Sequence, residues 1–92
     1  MVKWQYASVD LSVDSTTVSA TTVWFLGVIV TTTMSAHDCE IKDGTTVVLV
    51  IPSGSAIGTT YSLEGVVFST SLVVDPHNDA TGRITVIYKA SA

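Results

Sequence analysis

The sequence predicts an all-β fold, a small antiparallel β-sandwich or jelly roll of about eight strands. Three observations carry that expectation. The 92 residues include 15 Val, 6 Ile and 14 Thr, β-branched side chains that lose rotamer freedom in a helix and pack well on a pleated sheet. Turn residues recur about every ten positions, the spacing of a sandwich rather than of helix-linked strands. No stretch shows a helical period that would compete with these signals.

The elements follow in order. Residues 2–11 form a first strand with Trp4 and Tyr6 on one face. Residues 1–20 are either an N-terminal arm or an edge strand of a single domain spanning residues 1–92. Thr16 to Ser19 is a short strand. Val23 to Thr32 is the most strongly marked strand, and its VWFLGVIV core is apolar on odd and even positions alike. A half-buried strand alternates, so both faces of this one ask for cover. His37 to Lys42 does alternate, with His37, Cys39 and Ile41 on one face and Asp38, Glu40 and Lys42 on the other. Asp43-Gly44 and then TTVVLVI make a hairpin signal, and the Asp-Gly pair suits the positive φ values of a type I′ tip. Pro52 ends that second strand because it has no N–H for the ladder. Residues 59–63 form a strand, Glu64-Gly65 a turn and residues 66–68 a short extended piece. Residues 71–75 form the next strand, followed by the turn cluster Asp75-Pro76-His77-Asn78-Asp79. Gly82 to Lys89 closes the fold, with Ile84, Val86 and Tyr88 inward and Arg83, Thr85 and Lys89 outward.

Composition limits function. Charged residues are 13% of the chain, about half the usual ~25%. The net charge is −4 and the four basic residues are scattered, which gives no footprint for nucleic acid. The longest apolar run, Val23 to Val30, falls far short of a ~20-residue membrane-spanning helix. The start, Val2-Lys3-Trp4-Gln5-Tyr6, lacks the apolar core of a signal peptide. A single cysteine, Cys39, allows no internal disulfide, and synthesis in a reducing cytoplasm is the expectation.

Candidate chemistry is thin. His37, Cys39 and His77 offer three metal ligands where zinc sites of this kind want four converging ones. Asp75, Asn78 and Asp79 offer oxygens for calcium but lack the spacing of a calcium loop. Gly54-Ser55-Ala56 is no nucleophile elbow, since no G-x-S-x-G is present and no helix follows. The expectation is therefore no enzyme, no metal and no cofactor, with Cys39 buried, unligated and reduced. Trp4, Tyr6, Trp24 and Tyr61 are read as core in preference to sugar-stacking platforms, because aromatics supply much of a small core.

From Phe25 onward the landmarks run LGVIVTTT, a strand and Asp-Gly, a strand ending Ile-Pro-Ser, Gly-Thr-Thr-Tyr, GVVFSTSLVVD and a closing ITVIYK. Over residues 23–90 this order resembles small jelly-roll or β-sandwich structural virion proteins of tailed bacteriophages, of the capsid decoration (cement) or head-fibre type. Ser71 stands where such sequences often carry Gly. The resemblance implies a virion component made in the host cytoplasm, docked on the major capsid protein or another virion protein. It also implies a homotrimer, because decoration proteins commonly sit at three-fold positions. The alternative it leaves open is a tail- or fibre-associated module that binds a host receptor or carbohydrate. The surplus apolar residues of the strands supply the interface: Phe25, Val48 and Val50 are the expected outward contacts, with no nucleic acid and no membrane as partners.

Overall fold

The structure is a computed structural model and describes residues 3–90. It contains eight strands: β1 (Gln5–Asp10), β2 (Thr16–Ser19), β3 (Val23–Thr32), β4 (Cys39–Asp43), β5 (Thr46–Ile51), β6 (Thr60–Phe68), β7 (Leu72–Pro76) and β8 (Arg83–Ala90). They form two antiparallel four-stranded sheets, β1-β8-β3-β6 and β2-β7-β4-β5. The pairs are nested: β4 with β5, β3 with β6, β2 with β7 and β1 with β8. An eight-stranded double sheet so paired is a jelly roll. Residues 5–10 and 16–19, from the segment open to reading as an arm, are edge strands of the two sheets.

The inner faces meet over one cluster that includes Leu11, Val23, Phe25, Val30, Cys39, Ile41, Ile51, Phe68, Leu72, Val74, Ile84 and Val86. Phe25 and Phe68, from neighbouring strands of the first sheet, pack with ring centroids 5.0 Å apart at 44°, within the range of favourable tilted aromatic pairs.

The double-sided apolarity of β3 has a local cause. Val23 and Phe25 point inward, and so do Val28 and Val30. The inward set changes from odd to even numbers because the pairing slips between Phe25 and Gly27 against both β6 and β8, and a bulge moves every later side chain to the other parity. Gly27 is required there: a Cβ would lie 2.4 Å from the Tyr61 carbonyl oxygen. On β6 the slip is taken up by Glu64 and Gly65, both at positive φ (57° and 86°). The pair read as a turn is therefore a bulge inside a continuous nine-residue strand.

Phe25 is consequently fully buried within the monomer, and the expectation that it faces a neighbour is corrected. Trp24 takes the outward position instead and is 41% exposed.

The hairpin after β4 exists, with its tip displaced by one residue. Asp43 pairs with Thr46, so the two-residue loop is Gly44-Thr45, and only Gly44 of the three has positive φ (62°). Gly at the first loop position is the mark of a type II′ turn, in place of type I′ with Asp43 at its tip.

Candidate functional site

The outer face of the first sheet carries aromatic residues. On β3 and β8, Trp24 is the register partner of Lys89. The Lys89 ammonium lies 4.7 Å from the centre of the Trp4 ring and 5.2 Å from that of Trp24, a double cation–π contact. Tyr6 on β1 is 77% exposed and Trp4 is 44% exposed. Three of the four aromatics expected in the core are thus on the surface. Phe25 and Phe68 fill the space they were assigned, while Tyr61 packs against the core and is partly buried. Farther along the same face, Leu26, Ile29, Thr60, Ser62 and Ile87 line a shallow, mostly apolar groove.

The outer face of the second sheet is different. Lys42 Nζ lies 2.6 Å from Asp75 Oδ2 and 3.6 Å from Glu40 Oε1. The hydrogen bond to Asp75, foremost, holds the Lys42 ammonium above its ordinary pKa. Asp75 is thereby engaged on the sheet face, and Asp75, Asn78 and Asp79 do not stand as a free calcium-binding set. Beside this ionic centre runs β5, the sheet edge. Val47, Val48 and Val50 are each about 40–45% exposed. The pairing slips between Ile41 and Lys42, leaving Val48 as the extra residue of the bulge. Leu49 and Ile51 turn inward. Val48 and Val50 are therefore open to solvent in the single chain.

At one end of the sandwich three connections are laced together. Met34 N–H donates to the Ser55 carbonyl at 2.9 Å, Gly54 N–H to Ser35 at 2.7 Å and Ser35 N–H to Thr81 at 3.1 Å. Ser55 is buried; its hydroxyl donates to the Pro52 carbonyl at 2.7 Å and lies 2.9 Å from the Tyr61 hydroxyl. That is a fastening for the loop, with the oxygen already engaged. Cys39 is fully buried, and desolvation, helped by Asp75, Asp38 and Glu40, pushes its thiol up to about 12. A thiol so placed is a core side chain and a poor ligand or nucleophile.

His37 and His77 do come together. Cys39 pairs with Pro76 at the end of the β4–β7 ladder, and His77 N–H donates to the Asp38 carbonyl one step beyond. The two imidazoles stack with centroids 4.4 Å apart and planes 8° from parallel. Asp79 joins them, and Cys39, expected beside His37, does not. Two residue separations in sequence, 37 to 39 and 37 to 77, gave no hint of which would close in space; the strand register decides it.

Asp43 has a role its place before a glycine concealed. Its carboxylate accepts the Thr70 N–H at 2.8 Å, the Ser69 N–H at 3.0 Å and the Ser71 N–H at 3.3 Å. These bonds, that of Thr70 foremost, hold its pKa below the ordinary carboxylate value. It is a clamp on the β6–β7 connection.

Comparison with protein-family models, with curated proteins and with solved structures finds no match.

Proposed function

We propose that this jelly roll is a non-enzymatic structural protein of a tailed-phage virion, a capsid decoration protein that self-associates and docks on the capsid shell. The observation that carries self-association is the β5 edge. Val47, Val48 and Val50 stand exposed on a strand without Lys or Pro, two of the devices by which natural sheets protect an edge. The Val48 bulge interrupts regular pairing there, so the contact is made through valine side chains more than through strand addition. Exposed apolar surface of this kind marks interaction sites. The virion assignment, the capsid shell as partner and the choice of a trimer rest on the resemblance of residues 23–90 to phage structural proteins. A closed ring uses one repeated heterologous contact.

Sedimentation of the purified protein at micromolar concentration tests self-association. The expected result is a single species of about three times the 9.7 kDa chain mass, and a stable monomer overturns it. Locating the chain in a virion map tests the rest: density on the head supports decoration, and density confined to the tail refutes it.

A second reading has an observation of its own. Trp4, Tyr6 and Trp24 are exposed on one sheet face, as a carbohydrate- or receptor-binding fibre module would have them. Lys89 already lies over both tryptophan rings, which leaves less free ring surface for a sugar. Quenching of tryptophan fluorescence by host-surface oligosaccharides would favour this reading.

A further inference from the structure

We propose that His37, His77 and Asp79 form a binding site for a divalent transition metal of borderline softness, Zn²⁺ or Ni²⁺. Their donor atoms all lie within 4.8 Å of one another. Ligands on an ion at ~2.0–2.2 Å stand ~3.4 Å apart in a tetrahedral shell, and a ring-nitrogen lone pair lies in the ring plane. Closing the set therefore takes side-chain rotations that draw the donors together and turn the nearly parallel imidazoles out of their stack. His77 and Asp79 are exposed and His37 is half-buried, which leaves that freedom.

The backbone behind them is fixed. His77 N–H donates to Asp38, and Ala80 N–H donates to the His77 carbonyl at 2.8 Å. The strand register therefore presents the imidazoles together before any ion arrives. A shallow concavity lined by Ala36, Pro52, Ser53 and Val50 opens beside the two rings, leaving room for water or a further ligand to complete the shell.

The donor set selects the class of ion. Imidazole suits zinc, nickel and copper, whereas calcium and magnesium want oxygen shells. Two costs are visible, the ring stack and a hydrogen bond. His77 Nδ1 accepts the Asp79 N–H at 3.1 Å. Ligation through Nδ1 replaces that bond, and ligation through Nε2 requires the proton on Nδ1, so either mode gives it up. The stack and one exposed bond stand against two imidazole–metal bonds and a carboxylate.

Titration calorimetry of the untagged full chain with ZnCl₂, and separately NiCl₂, tests the proposal. The expected result is one ion per chain, with affinity reduced at least ~10-fold in His37→Ala and His77→Ala, the lower range for losing even a supporting group at a metal site. Asp79→Asn weakens binding less, and Cys39→Ser leaves it unchanged. CaCl₂ gives no saturable heat. Near-UV circular dichroism confirms that each variant keeps the native fold, and His77→Gln replaces His77→Ala should the latter lose it. Absence of Zn²⁺ and Ni²⁺ binding, undiminished binding by both histidine variants, or its loss in folded Cys39→Ser would each overturn the assignment.

Discussion

β3 and β5 look alike as sequence and differ in fate. VWFLGVIV and TVVLVI are both apolar on consecutive positions, and each strand contains a pairing slip. β3 lies between β6 and β8, and its bulge redirects Val28 and Val30 into the core that Val23 and Phe25 already occupy. β5 lies at an edge, and its bulge leaves Val47, Val48 and Val50 in water. An apolar run does not by itself announce an interface. A central position in the sheet, with a bulge to switch parity, satisfies one run within the monomer, while the edge position leaves the other exposed.

The comparison breaks most severely at Phe25. Phe25→Asp places an unpaired carboxylate in a fully buried site, and the chain should fail to fold. Phe25→Ala should cost about 3–5 kcal/mol, the usual range for deleting a buried aromatic side chain, measured by urea unfolding. A folded Phe25→Asp protein that merely dissociated would reverse the assignment of this residue to the core.

Gly27→Ala comes next. Its Cβ meets the backbone of Tyr61, which cannot rotate away, so the β3–β6 bulge must deform. A loss of about 3 kcal/mol is expected, at the upper end of ordinary overpacking costs. An unfolding midpoint equal to that of the wild type would show that the bulge is not obligatory.

Asp43 sets the β6–β7 connection beside the β4–β5 hairpin. Asp43→Ala should cost about 1 kcal/mol, discounted because the carboxylate is partly open to water. The sign with pH follows from its lowered pKa. The carboxylate's contribution is present above its unfolded value of ~3.9 and is lost as pH falls through the lower folded value. The wild type should therefore lose this part of its stability below about pH 4. Asp43→Asn should show a shallower acid decline, visible in unfolding curves between pH 5 and 2; identical slopes would refute the clamp.

The smallest effect on folding should come from the edge. Val48→Asp and Val50→Asp should change monomer stability by no more than ~0.5 kcal/mol, as surface substitutions usually do, while dissociating the proposed oligomer in sedimentation. Folded variants of unchanged mass would remove β5 from the interface.

The sequence made the strands legible because β-branched runs and turn residues act locally. Cys39 and Ile41 alternate with charged neighbours, and their burial followed directly. Parity within β3 was not legible, since a bulge is decided by pairing with β6 and β8 and by the close approach of the Tyr61 carbonyl to Gly27. The same blindness hid Asp43: an Asp before Gly suits a turn, and nothing local says that it will accept three N–H groups from residues 69–71. His37 and His77 were each visible, but their meeting depends on the β4–β7 register, and Asp79 enters only through the turn that this register holds in place. Trp4, Tyr6 and Trp24 were misassigned because size favours burial on average, while the side of the sheet is settled by neighbours far along the chain.

The nesting of the strand pairs also has a kinetic consequence. Among the described residues, β4 and β5 are the only paired strands joined directly by a tight loop. Each further pair closes a longer segment, ending with β1 against β8, where Gln5 meets Tyr88. Contacts so distant in sequence make folding slow relative to local topologies, on the order of milliseconds to seconds. During synthesis β1 emerges before the other seven strands and β8 after them. Until β8 arrives, β1 and one side of β3 lack their ladder, and a nascent chain stalled before residue 83 would present two open strand edges to any other copy nearby.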